Sequence, residues 1–198
     1  MISDKAGPEA ATVLDFWFGA PGSAEYGSAR KAWFAKDDRF DAEIRDRFGA
    51  LIERALRGEL EGWASTPETS LAQILVLDQF TRNAYRGTPR SFAGDARALA
   101  EASRMVGARQ DEALPAFMRG FVYLPFEHAE SLAMQDEAVR LFTRLCDASP
   151  EQSSMLDFAH RHRALIERFG RFPHRNEVLG RRSTAEEIAY LAQPGSGF

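Results

Sequence analysis

Apolar residues recur at helical spacing along most of the chain. One stripe with spacings of three and four runs from Phe40 to Leu56 and stops before Gly58. No stretch alternates apolar and polar residues in the way a half-buried strand would. The pattern therefore predicts an all-α fold of eight or nine helices in antiparallel pairs, without a sheet. No linker or low-complexity tract divides the chain, so residues 1–198 are expected to form a single domain.

Capping residues and prolines predict where several helices begin. Ser65 with Glu68, and Ser183 with Glu186, have the spacing of a capping box. Pro125 is expected to interrupt one helix and to open the next, because proline cannot donate the backbone hydrogen bond that a helix interior requires.

Composition and charge exclude several classes of protein. The net charge of −4 and the isoelectric point near 5.6 argue against a surface that binds duplex DNA or an anionic membrane. Apolar runs such as Ile74–Leu77 are too short to span a bilayer, and Met1–Glu9 lacks the pattern of a signal peptide. With Cys146 as the single cysteine, no intrachain disulfide can form. These observations predict a cytoplasmic protein without nucleic-acid or membrane partners.

The first polar segment lies at the end of the apolar helix that contains Ile74. Asp78 and Arg82 are four residues apart, as are Gln79 and Asn83, so each pair is predicted to share a helix face. The segment is either part of a binding site or a surface ion pair at a frayed helix end, which would contribute little to stability.

The second polar segment follows Pro125. If this proline opens a helix, then Glu127, His128 and Glu130 lie in or near its first turn, where unpaired backbone amides can hold an anion. His128 is the best candidate for proton transfer, with Glu127 as its partner, because only histidine titrates near neutrality. The alternative is a capping carboxylate beside a structural histidine. The spacing matches no metal motif, so neither a metal nor another cofactor is predicted.

The third polar segment is rich in arginine. Residues 161–182 contain seven arginines against two glutamates. Gly170 and Pro173 are expected to fix a turn in it, and guanidinium groups held in a rigid turn suit carboxylate or phosphate. The alternative is that these arginines only neutralise carboxylates elsewhere in the same fold. The candidate ligand-binding residues in the turn are Arg171, His174, Arg175 and Asn176.

Four strings in the chain resemble a known family. They are Val13–Gly19, Ala72–Asn83, Leu124–Glu130 and Phe169–Asn176, the last continuing to Arg181. In this order they are similar to the bacterial family catalogued as domain of unknown function 924. The chain departs from the usual family pattern at Thr81, where proline is more common, and at Ala129, where serine is more common. The resemblance implies a tetratricopeptide-like, right-handed array of helix pairs and implies no reaction.

Three functions are compatible with these segments. The first is a helical binding protein with one polar pocket for a small anionic ligand, with Trp17 or Trp33 as an aromatic wall. The second is a hydrolase in which His128, paired with Glu127 or Asp78, acts as general base. The third is a scaffold that binds a peptide or protein partner in a groove. The sequence does not determine the oligomeric state.

Overall fold

The computed structural model describes residues 7–196, apart from the side chain of Glu61. Within that range it contains eight α-helices and no strand, which confirms the all-α prediction. The helices are α1 (Pro8–Phe18), α2 (Asp38–Leu56), α3 (Pro67–Leu75, continued by a π-helical turn Val76–Phe80 and by Thr81–Ala84), α4 (Asp95–Gly107), α5 (Ala116–Glu127), α6 (Leu132–Ala148), α7 (Ser153–Phe169) and α8 (Ala185–Leu191).

The prediction about the N-terminal segment falls mostly outside this range. Residues 1–6, most of the segment judged to lack a signal peptide, are not among the described residues, nor are residues 197 and 198. Across the described residues, no helix is both long enough and apolar enough to cross a bilayer. The single-domain and tetratricopeptide-like predictions stay predictions.

Helix α3 lies at the centre of the fold. It contacts α1, α2, α4 and α5. A helix that is apolar on every side is buried on every side, and α3 fits this rule. Its fully buried residues include Leu71, Ala72, Ile74, Leu75, Val76 and Leu77. Polar groups near its C-terminal end are therefore held inside the protein.

Aromatic side chains from α1, α2, α3 and α5 form the core beside α3. The rings of Trp17 and Trp33 stack 6.2 Å apart, and the Trp33 indole N–H donates to the Trp17 carbonyl at 2.9 Å. Phe80 and Phe121 pack against Trp17 at 5.5 and 5.8 Å. Trp17 is fully buried and Trp33 nearly so, which makes them core residues. The prediction that either forms a wall of the polar site is therefore not supported.

The later helices pack in chain order. Helix α5 contacts α6, and α6 contacts α7. The connections are short, at residues 128–131 and 149–152, so consecutive helices run antiparallel. After α7, Gly170 adopts the left-handed conformation and reverses the chain. A small second cluster of Leu165, Ile166 and Phe172 then lies beside the main core.

Pro125 lies inside α5, so the prediction that it opens a new helix is wrong. The helix continues for two more residues to Glu127, and His128 is its C-cap. Proline removes only one backbone hydrogen bond here, and the surroundings of this fully packed last turn hold the helical conformation. Glu127 therefore lies in the last turn of a helix, and α6 begins only at Leu132. None of Glu127, His128 and Glu130 therefore lies in the first turn of a helix, so free N-terminal amides are not available to hold an anion beside them.

Both predicted capping boxes exist, each displaced by one residue. Thr66 caps α3 and pairs with Thr69, while Thr184 caps α8 and pairs with Glu187. At the first site Pro67 explains the displacement, because a residue before proline favours the extended conformation that an N-cap needs. Thr66 has this conformation, with φ −133° and ψ 158°.

Candidate functional site

The candidate site is built around a π-helical turn in α3. The turn spans Val76–Phe80, and both the backbone N–H and the hydroxyl of Thr81 donate to the Val76 carbonyl, the hydroxyl at 2.8 Å. Turns of this kind are rare and often mark functional positions. Here the turn carries Asp78, which is fully buried.

The Asp78 carboxylate accepts three side-chain hydrogen bonds. Its Oδ1 accepts from Arg82 Nε at 3.2 Å and from His128 Nδ1 at 2.7 Å, and its Oδ2 accepts from the Gln79 amide. Burial acts to raise the pKa of Asp78, but His128 and Arg82 outweigh it and hold the pKa below its usual value. Asp78 is therefore an ionised carboxylate at the centre of the cluster.

His128 lies where α5 ends, and Asp78 orients its ring. An ionised Asp78 can only accept, so Nδ1 carries the hydrogen and the lone pair of the neutral ring is on Nε2. Burial lowers the pKa of His128 despite the neighbouring Asp78, which favours this neutral form. The side chain is 16% exposed, so solvent reaches the ring. The geometry leaves Nε2 able to accept a proton.

Asp95 joins two arginines from distant parts of the chain. Its Oδ1 accepts from Arg82 Nη2 at 2.9 Å and its Oδ2 accepts from Arg175 Nη1 at 3.2 Å. Asp95 was not among the predicted site residues, because an acid in the first turn of a helix is usually explained by the helix dipole. The preceding residue, Gly94, allows the start of α4, and with it Asp95, to lie close to α3. A Cβ at Gly94 would be 2.0 Å from the Leu77 carbonyl oxygen.

The Arg175 guanidinium is buried between two aromatic rings. Its Cζ lies 4.6 Å from the Phe92 centroid and 4.7 Å from that of Phe172. Its Nη2 donates to the His128 carbonyl at 2.9 Å, while Nε is buried without a hydrogen-bond partner among the described residues. Burial, and then the nearby Arg82, lower the pKa of Arg175 to about 10. The cost of burying this charge is therefore only partly offset by its partners.

Glu127 is not the partner of His128. Its Oε1 lies 2.9 Å from Nδ1 of His162, a residue that was not among the predicted site residues, and the same nitrogen lies 2.9 Å from the Phe158 carbonyl oxygen. Glu127 is nearly fully buried, and the His128 and His162 rings are 6.2 Å apart. The two histidines thus belong to neighbouring acid–histidine pairs. Of the two acids suggested for His128, the structure places Asp78 beside it.

Three other predicted residues, Glu130, His174 and Asn176, make contacts within or to the turn that contains Arg175. Glu130 accepts from the Phe172 backbone N–H at 2.8 Å and from Arg181 at 2.7 and 2.9 Å. Arg181 also donates to the Asn176 side chain at 2.9 Å. The His174 ring lies 5.5 Å from that of Phe172. These contacts fix the turn that presents Arg175.

Two predicted residues lie apart from the cluster. Arg171 forms a two-pronged ion pair with Glu187 of α8, at 2.7 and 2.8 Å. Asn83 donates to Asp41 of α2 at 2.8 Å, beside Arg86. The Arg-rich segment therefore has two functions, since Arg171 fastens the C-terminal helix while Arg175 enters the cluster.

The described residues contain no group of three His, Cys, Asp or Glu side chains placed to hold a metal ion. Two cavities of about 410 and 370 Å³ lie elsewhere on the molecule, and no residue of the cluster lines either of them. Within the cluster, the side chains of Arg82 and His128 are 18% and 16% exposed.

The chain was compared with known proteins. The model of the family described as bacterial protein of unknown function, DUF924, matches residues 13–195. A solved structure of a protein of unknown function from Agrobacterium tumefaciens is 41% identical to this chain, with a TM-score of 0.81. The match covers 93% of this chain and 97% of that one. No curated protein matches. The chain therefore belongs to the bacterial DUF924 family, as its four motif strings predicted.

Proposed function

We propose that this protein binds a small anionic molecule at the surface formed by Arg82, His128 and Arg175. The observation that carries the proposal is the convergence of two arginines and a histidine on the buried Asp78 and the partly exposed Asp95. Arg82 and His128 are 18% and 16% exposed, so a ligand can reach them from solvent, while Arg175, only 8% exposed, contributes its charge from inside.

The charged groups of the cluster favour the binding of an anionic ligand. Burial and the neighbouring arginines lower the pKa of His174 to about 3, and burial followed by Arg82 lowers that of Arg175. Burial is the larger cause of both shifts, and repulsion from neighbouring positive charge is the second cause, which an anion beside the arginines would offset. Paired arginines favour a ligand with carboxylate or phosphoryl oxygens, because the guanidinium fork matches their spacing.

Binding of an anion should be coupled to proton uptake by His128. In the ligand-free protein the pKa of His128 is below its usual value. A negative group beside the ring stabilises the imidazolium and raises this pKa. Affinity is therefore expected to increase as the pH falls through the pKa of the bound form and to level off below the pKa of the free form.

An NMR titration with sulfate tests this proposal, because sulfate stays a dianion throughout the useful pH range. Sulfate is expected to raise the pKa of the His128 ring, and the ring resonances of the exposed His160 serve as the internal control for a specific effect. The Arg82→Lys variant should weaken sulfate binding about tenfold, since lysine cannot form the two-pronged contact. An unchanged His128 titration at saturating sulfate would contradict the proposal.

A second candidate function is hydrolysis, and the Asp78–His128 pair is the observation that favours it. An imidazole whose Nδ1 is held by a buried carboxylate is the usual general base of hydrolases. In such a step, His128 Nε2 takes a proton from water as the water oxygen attacks an ester or phosphoester. The proton then passes to the leaving oxygen as its bond breaks, while Arg82 stabilises the negative charge.

Turnover of p-nitrophenyl acetate and p-nitrophenyl phosphate tests this second function. Any activity should fall by about a hundredfold or more in His128→Gln, the usual range for loss of a general base. The His160→Gln variant, altered at an exposed histidine, should retain wild-type rates. Equal rates in the two variants would rule out His128 as the base. Peptide binding in a groove stays a prediction that no specific contact favours.

A further inference from the structure

A second polar site is formed by the chain between α4 and α5 together with the end of α6. The 370 Å³ cavity there is lined by Arg109, Glu112, Arg119, Tyr123, Arg144, Leu145 and Ala148. Its volume is within the range of small-molecule sites. No residue of this lining belongs to the Asp78–His128 cluster, so the two surfaces are distinct.

The lining carries an excess of positive charge. Three arginines face Glu112, and a second carboxylate, that of Asp111, is bound to the hydroxyl of the lining residue Tyr123, so positive charge exceeds negative charge by one. Arg109 and Arg144 both donate to Glu112, at distances of 2.9–3.2 Å. Asp111, the acid next in the chain, accepts instead from the Tyr123 hydroxyl at 2.6 Å. An ionised Glu112 cannot neutralise both of its arginines as well as Arg119.

The backbone that presents these groups is strained. Arg109 has φ +56°, and it is the only described residue other than glycine with a positive φ. A side chain larger than hydrogen makes this conformation unfavourable, so its surroundings must hold it in place. The left-handed turn directs Arg109 towards Glu112, within reach of Arg144 on α6.

Arg119 supplies a second indication of a ligand. Its Nη2 donates to the backbone carbonyls of Glu112 and Leu114, at 3.2 and 3.0 Å. Its Nε is buried and has no hydrogen-bond partner among the described residues. Buried donors without a partner are uncommon in folded proteins, and they often indicate a missing ion or water.

We propose that this cavity binds a small dianion, either a phosphate monoester or a dicarboxylate. The dianion would lie among Arg109, Arg119 and Arg144, whose guanidinium N–H groups would donate to its oxygens. Leu145 would contact the carbon portion of the ligand. Glu112 already accepts hydrogen bonds from Arg109 and Arg144, so it competes with the ligand for these groups and lowers the affinity for the dianion.

Calorimetric titrations with inorganic phosphate and with succinate test the proposal. The Arg144→Gln variant should weaken binding about tenfold, the usual effect of losing one charge-assisted hydrogen bond. The Glu112→Gln variant should strengthen it, because the competitor is neutralised. Arg140→Gln is the matched control, since Arg140 lies one turn earlier on α6 and pairs with Glu137. It should bind as the wild type does.

The outcomes separate this site from the Asp78–His128 cluster. A His128→Asn variant should still bind phosphate or succinate at the second site, and NMR shifts should appear at residues 109–123 and 144–148. The preferred probe identifies the ligand class. The proposal is overturned if neither probe binds, or if Arg144→Gln and Arg140→Gln bind equally. It is also overturned if all NMR shifts are confined to the His128 region.

Arg144 is more than half exposed, so its replacement leaves the fold intact.

Discussion

Replacing Asp78 with alanine is expected to lower the free energy of unfolding by about 3–5 kcal/mol. The carboxylate is fully buried and accepts from Arg82, His128 and Gln79. Its loss leaves the mostly buried Arg82 with one carboxylate where it had two, and it leaves the His128 Nδ1–H without an acceptor. Breaking a buried pair by removing one partner is costly because the remaining charge stays away from water. Urea unfolding followed by circular dichroism measures the change.

The control for this variant is Glu43→Gln. Glu43 and Arg47 are also four residues apart on a helix, at 2.8 Å, but both side chains are about half exposed. An exposed pair of this kind contributes at most about 0.5 kcal/mol. If the two variants lose similar stability, the buried cluster contributes no more than a surface ion pair.

Replacing Gly94 with alanine is expected to cost about 3 kcal/mol or more, or to prevent folding altogether. The new Cβ would be 2.0 Å from the Leu77 oxygen and 2.8 Å from the Leu77 carbonyl carbon. Both are backbone atoms of the π-helical turn, so no side chain can rotate away. Relief requires α4 to move, and that movement separates Asp95 from Arg82 and Arg175. Thermal or urea unfolding gives the stability, and sulfate titration shows the accompanying loss of affinity.

Gly107→Ala, at the opposite end of α4, is the control. No atom lies within 4 Å of a Cβ built at this position. Alanine is a better helix former than glycine, so stability should be unchanged or should increase by up to about 1 kcal/mol. Equal stability of the two variants would show that the contact between Gly94 and the π-helical turn is unimportant.

The sequence predicted the helices well and the site in part. Apolar periodicity identified the helices because burial of one face determines most of a helix pattern. The pairing of Asp78 with Arg82 was also predictable, since both lie on one helix at a spacing of four. The start of α3 was displaced because Ser65 and Thr66 can both cap a helix, and only the following Pro67 favours the second.

The remaining errors arise where tertiary contacts decide between local alternatives. Arg171 and Arg175 are one helical turn apart in sequence, and both are charged groups in one short loop. Only the positions of Glu187 and Asp95 in space determine that the first fastens α8 and the second enters the cluster. Pro125 is a similar case, because its preference for a helix start was outweighed by the packing of α5.

The hydrogen bonds of Arg175 also determine when the cluster can be completed during synthesis. Arg175 is 80 residues from Asp95 and 47 residues from His128 along the chain, while His128 is 50 residues from Asp78. Contacts between such distant positions form late, because closing a long loop costs conformational entropy before any contact compensates for it. On a ribosome the first 128 residues can bring Asp78 and His128 together, but Asp95 then has only Arg82 as its partner. The proposed ligand-binding surface is therefore complete only after the segment that follows Gly170 has emerged and docked.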